Sequence, residues 1–141
     1  MILLDNKTKR DINIKKLEEL SKYLNISKDI ELIITTDEEI KAINIEHRGV
    51  NKATDVLSFP LEDFEFMPLG SIVISLDSAK RAAKEYKHKV DDEISLLFLH
   101  GLLHLLGYDH EIDNGEMRKK EKEIVEHFNL PQSLIIRVTG E

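Results

Sequence analysis

The chain has 141 residues, 41% hydrophobic and 33% charged, the size and composition of one ordinary soluble domain with a single core. It has no cysteine, which excludes a disulfide framework and a thiolate zinc site. Its formal net charge of −7 argues against generic nucleic-acid binding, which calls for a basic footprint.

The opening segment MILLDNKTKR has a short apolar run with no basic segment ahead of it, unlike a signal peptide. The longest apolar stretch, Ile94 to Leu106, is too short to span a bilayer and carries two imidazoles, so a buried core helix is expected there. These features predict a single cytoplasmic domain over residues 1–141 with no membrane partner. Basic residues cluster at Arg48 with Lys52, from Lys80 to Lys89, and from Lys119 to Lys122. The last two clusters are interleaved with glutamate and are expected to be solvated helix faces.

In chain order, Ile2 to Asp5 suits a short first strand. Asp11 or Asn13 can cap a helix to about Leu24, with Ile14, Leu17, Leu20, Tyr23 and Leu24 along one side. The β-branched run DIELIITT predicts a strand ending near Thr35. Asp37 is positioned to cap a second helix to about His47, stopped by Gly49. ATDVLSFPL predicts a strand whose end, at Pro60, lies on an edge or exit, and GSIVISL predicts another. Ser78 to His88 favours a helix, and Asp91 or Asp92 can cap the next one, with Glu93 near its positive end. Gly107 terminates that helix, and a last amphipathic helix spans about Asn114 to Phe128, closed by Pro131. The strand-helix-strand order from Ile30 to Phe59 suggests a parallel crossover. The short link between the two later strands suggests an antiparallel partner at the sheet edge. The expected fold class is α+β: a small mixed β-sheet of about four strands with an antiparallel edge strand, packed with about five helices.

The apolar helix ends in LFLHGLLHLLGYDH, which holds three of the six histidines. Residues four apart share a helix face, so His100 and His104 can address one ion. His110 lies too far along a straight helix to join them, but a glycine at Gly107 can turn the chain back in the left-handed conformation. Leu97, Phe98, Leu102, Leu105 and Leu106 already supply the core, which leaves the imidazoles for a metal. Three neutral imidazoles suit zinc, with nickel or iron also compatible. Three protein ligands leave a position for water, the catalytic pattern, whereas a structural zinc is closed by four. Asp109 and Asp113 could in principle close the site. Asp113, Glu116 or Glu121 could instead orient a histidine from behind.

The spacing matches the extended zinc-protease signature H-E-x-x-H-x-x-G-x-x-H, so a metzincin-like zinc helix is expected. The general-base glutamate of that signature is replaced here by Gly101, which weighs against a peptidase or amidase. Together, LHGLLHLLGYDH and HRGVNKATDVLSFP, from His47 to Pro60, resemble the YbeY family of bacterial endoribonucleases. The two motifs cover a little under a fifth of the chain. The resemblance implies a metal-dependent endoribonuclease specific for single-stranded RNA, with a role in 16S rRNA 3′-end maturation and ribosome quality control. By that resemblance His100, His104 and His110 are the zinc ligands, Arg48 is the functional arginine beside the cleft, and Thr54 to Phe59 are the bordering strand. Arg48, Lys52 and Ser58 are then the expected RNA contacts, with Asp109 and Asp113 behind the metal ligands. The expected partners are single-stranded RNA and the ribosome or its small subunit. A planar guanidinium such as that of Arg48 can grip a phosphodiester through two parallel hydrogen bonds. Two rival readings are a metal peptidase or amidase, and a non-catalytic ribosome-binding module stapled by zinc.

Overall fold

A computed structural model describes residues 1–62, 66–132 and 134–139. Four strands form one sheet in the order β1-β2-β4-β3: β1 (Ile2–Asn6), β2 (Ile30–Thr35), β3 (Val56–Pro60) and β4 (Gly70–Ser75). β1, β2 and β4 run parallel, and β3 lies antiparallel to β4 at the edge. The mixed sheet with its antiparallel edge agrees with the sequence reading. The parallel crossover expected from Ile30 to Phe59 does not occur, because the parallel neighbour of β2 is β4. The chain passes through α2 (Asp37–Arg48) to the far edge, lays down β3, and returns as β4 between β3 and β2.

Local chemistry sets the helix limits. The side chain of Asn13 accepts the Lys15 N–H and opens α1 (Ile14–Tyr23). Thr36, rather than Asp37, caps α2 by accepting the Glu39 N–H, while Gly49 closes α2 with φ 69°. The carboxylate of Asp37 turns outward from that task to accept from Ser75, Ser78 and Arg81, which ties α2 to α3 (Leu76–Glu85). Ser75 caps α3, so this helix starts and ends slightly earlier than its composition suggested. Lys89 occupies the N-cap of α4 (Val90–Leu105), and Asp91 and Asp92 sit in its first turn instead of capping it. Acidic residues there complement the positive end of the helix dipole.

α4 is apolar around its circumference, with Ile94 to Leu103 all buried, and a helix of that kind belongs in a core. It lies across the sheet against β3 and β4, flanked by α1, α3 and α5 (Glu116–His127). It packs tightly on the sheet at Gly101, where a Cβ would meet Ile72 of β4 at 3.0 Å. The main core fills this side, around Phe98, Leu97 and Leu102. A smaller cluster of Ile40, Leu57 and Val73 joins α2 to the opposite face.

A sixth helix, α6 (Leu134–Thr139), exceeds the five expected. Leu134 and Ile135 are buried, and Arg137 grips the buried Glu93 of α4 through two hydrogen bonds of 2.5 and 2.9 Å. His88 contacts the same carboxylate at 2.7 Å, and the Arg137 guanidinium stacks 4.3 Å from the Tyr86 ring centre. Among the described residues, no helix is long and apolar enough to cross a membrane.

Candidate metal centre and cleft

The last two turns of α4 place His100 and His104 on one face, and the chain then reverses at Gly107, whose φ is +97°. That conformation is cheap only for glycine. The reversal brings His110 back, and the ring centres of His110 lie 5.6 Å from His100 and 6.0 Å from His104. One ligand atom from each of the three histidines lies within 4.8 Å of the others. No carboxylate belongs to this group among the described residues.

The donor set fits a divalent ion. His100 Nε2 and His104 Nε2 are 3.3 Å apart. Two nitrogens each about 2.0–2.1 Å from a tetrahedral zinc stand roughly 3.3–3.4 Å from one another. The buried Nδ1 of His110 has no hydrogen-bond partner among the described residues, an unsatisfied lone pair or N–H that a metal site accounts for. Burial, with the neighbouring His100 and His110, holds the His104 imidazole below its usual pKa and so favours the neutral form a metal requires.

Glu121 of α5 completes the arrangement. Its fully buried carboxylate meets His100 Nδ1 at 2.9 Å and accepts the Ile135 N–H at 2.9 Å with its other oxygen. This contact fixes the tautomer that leaves His100 Nε2 free as a ligand. Of the carboxylates considered from sequence, Glu121 is therefore the one that orients a histidine. Asp113 has another role: its two oxygens accept the Gly115 and Met117 N–H groups and organise the start of α5. Glu116 likewise accepts the Asn114 N–H. Asp109 borders the cleft, but its Oδ1 accepts the Glu111 N–H within its own turn.

The histidines form the floor of a cleft of about 500 Å³. One wall is the chain from Thr54 to Ser58, the other includes Leu134 and Ile135 of α6, and Arg48 stands at the rim. Arg48 is exposed on the last turn of α2, beside the left-handed Gly49. Ser58 lines the cleft. Lys52 does not: its carbonyl accepts from Asn44, and its exposed side chain is not part of the lining. The contribution of α6 went unread in the sequence, because nothing local in Leu134–Thr139 announces which helix it will dock against.

The profile of the family described as endoribonuclease YbeY matches residues 3–129. The chain belongs to the YbeY family. An endoribonuclease YbeY of Nautilia profundicola is 64% identical over 97% of this chain and 98% of the relative. Its namesake in Sulfurimonas denitrificans is 51% identical over 99% and 100%, and that of Campylobacter jejuni 58% over 86% and 90%. The solution structure of a Thermotoga maritima protein superposes with a TM-score of 0.65 and 33% identity, covering 89% of this chain and 87% of the other. The match takes in the sheet and α4, so the resemblance carried by two short motifs extends to nearly the whole chain.

Proposed function

We propose that this protein is a zinc-dependent, single-strand-specific endoribonuclease that matures the 3′ end of 16S rRNA on the ribosome or its small subunit, in the cytoplasm. The observation that carries this reading is the convergence of three imidazoles, with no carboxylate in their group among the described residues, in a cleft that Arg48 also lines. Family membership supports RNA as the substrate class.

His100, His104 and His110 would hold the ion, with Glu121 keeping His100 in the ligating tautomer. Bound by three neutral ligands, such an ion would keep its full charge and supply Lewis acidity toward a phosphoryl oxygen and toward water or a 2′-hydroxyl. Arg48 offers a forked set of donors to a phosphate entering over the rim and stabilises the charge that builds up as the bond breaks. A single strand can bend so that one phosphate reaches the cleft floor, which the stiffer duplex resists. The −7 net charge is no obstacle, because a divalent ion on three neutral imidazoles would form a local positive centre beside Arg48.

The peptidase reading loses ground at Gly101. It lacks the base, and Ile72 fills the space that a Cβ at this position would need. The decisive experiment is cleavage of single-stranded RNA by highly purified protein and by His104→Ala. The substitution should abolish cleavage and leave the fold intact, and undiminished cleavage would end the proposal. A 2′,3′-cyclic phosphate on the product would identify the 2′-hydroxyl as the attacking group.

A further inference from the structure

β3 is the edge strand beside the cleft, and its hydrogen-bond phase is fixed by its neighbours. The Ser75 N–H donates to the Asp55 carbonyl at 2.9 Å, and the Leu61 N–H donates to the Leu69 carbonyl at 3.1 Å. In an antiparallel pair, the main-chain groups of alternate residues face the partner strand. Asp55, Leu57, Phe59 and Leu61 therefore face β4, while Val56, Ser58 and Pro60 turn their main-chain groups away from the sheet.

Those three outward positions are not equivalent. The Val56 N–H is taken by the Asp55 carboxylate at 2.8 Å. Pro60 has no N–H. The Ser58 N–H is left as the outward donor of β3 without a partner among the described residues. Ser58 pairs with Ile72, and Ile72 packs on Gly101, between the first two histidines in sequence. Ser58, Gly101, His100, His104 and Arg48 all line the same cleft.

We infer that the main-chain N–H of Ser58 binds a non-bridging oxygen of the scissile phosphate, opposite Arg48. The inference rests on the ribonuclease reading above and adds a donor to it. A ladder-held N–H is already aimed before substrate arrives and never changes its protonation state, the properties of an oxyanion-hole donor. The Asp55 carboxylate, which occupies the adjacent outward donor, repels a second phosphate from that position. The strand is thereby registered by one phosphate, without reference to base identity.

The test separates the N–H from the side chain. Ser58→Ala keeps the N–H and removes only the hydroxyl, so it is the reference against which loss of the N–H is read. Ser58→lactate, introduced by nonsense suppression, replaces the same amide by an ester, which removes the N–H and leaves the Leu57 carbonyl, facing β4, a weaker acceptor. It should lower kcat/KM about 100-fold relative to Ser58→Ala, the typical effect of one oxyanion donor. Ser58→Pro should lose as much, and Pro60 already shows that this phase of the strand accepts proline.

Zinc affinity should match Ser58→Ala in the ester variant, which a general structural role would not allow, while the weaker Leu57 carbonyl should lower the melting temperature only slightly. Binding of a single-stranded DNA of the same sequence should weaken by about tenfold or more, as expected for a lost hydrogen bond to a charged group. An ester variant that cleaves and binds like Ser58→Ala overturns the inference, even if Ser58→Pro is impaired. Failure of the unmodified protein to cleave RNA would instead overturn the proposed function, and the DNA-binding comparison would still decide whether the Ser58 N–H grips a phosphate.

Discussion

Replacing Glu121 by glutamine isolates the link between the metal centre and the helices behind it. The carboxylate has two acceptor oxygens and two donors to satisfy, His100 Nδ1 and the Ile135 N–H, each at 2.9 Å. Glutamine keeps the shape but has one acceptor oxygen and one NH₂ group. If its oxygen serves His100, the NH₂ faces the Ile135 N–H, donor against donor. If it turns round, the NH₂ faces His100 Nδ1 and drives the proton to Nε2, the atom the metal needs. Either way the histidine loses a charged, basicity-raising partner. Loss of such support costs about 10–100-fold in metal affinity, or roughly 1.4–2.7 kcal/mol. The unmatched donor costs about 1–3 kcal/mol of stability. The assay is a zinc competition titration against a chromophoric chelator at fixed pH, paired with a melting curve. A Glu121→Gln variant that binds zinc within twofold of the unmodified protein would refute the argument that this carboxylate sets the His100 tautomer.

Three further outcomes follow from the packing. Arg137→Ala leaves the buried Glu93 with His88 alone, and breaking a buried pair costs about 3–5 kcal/mol, so urea unfolding should shift strongly and the α6 end should become sensitive to protease. Gly101→Glu, which restores the protease signature, pushes a Cβ into Ile72 at 3.0 Å and should cost about 1–3 kcal/mol without producing peptide hydrolysis, as read by melting and a peptide-substrate screen. Asp37 is held below the usual carboxylate pKa by Arg81 first, and also by Ser75 and Ser78. A depressed folded pKa stabilises above the unfolded value and is lost as pH falls through the folded one. Asp37→Asn should therefore cost about 1 kcal/mol at neutral pH, small because Arg81 is mostly solvated, and progressively less below about pH 4. Urea titrations at neutral and acid pH measure that difference.

Local signals in the sequence were read with fair accuracy, and relations between distant residues were not. The run His100 to His110 carries its own geometry, because a four-residue spacing and one glycine determine where three side chains meet. The edge position of β3 was also legible, in Pro60 and in the short link to β4. The neighbour of β2 was not, because strand order depends on which edge the chain reaches after α2, and no local residue encodes it. Capping was misjudged wherever two acceptors adjoin: Thr36 took the role open to Asp37, which was drawn instead to Arg81 and two serines of the next layer. The same limit applies to the metal site. Asp109 and Asp113 lie close to His110 in sequence, yet Glu121 reaches His100 because α5 folds back beside α4. The cleft wall made by Leu134 and Ile135 depends on the Arg137–Glu93 grip across 44 residues, a contact that no spacing rule announces.

The central claim is an ion held by three imidazoles with one face open. The direct measurement is anomalous scattering from a zinc-loaded crystal. The account predicts one peak about 2.0–2.1 Å from a ring nitrogen of each of His100, His104 and His110, with no protein oxygen in contact. A peak elsewhere, or a carboxylate of Asp109 or Glu111 bound as a fourth ligand, would contradict it.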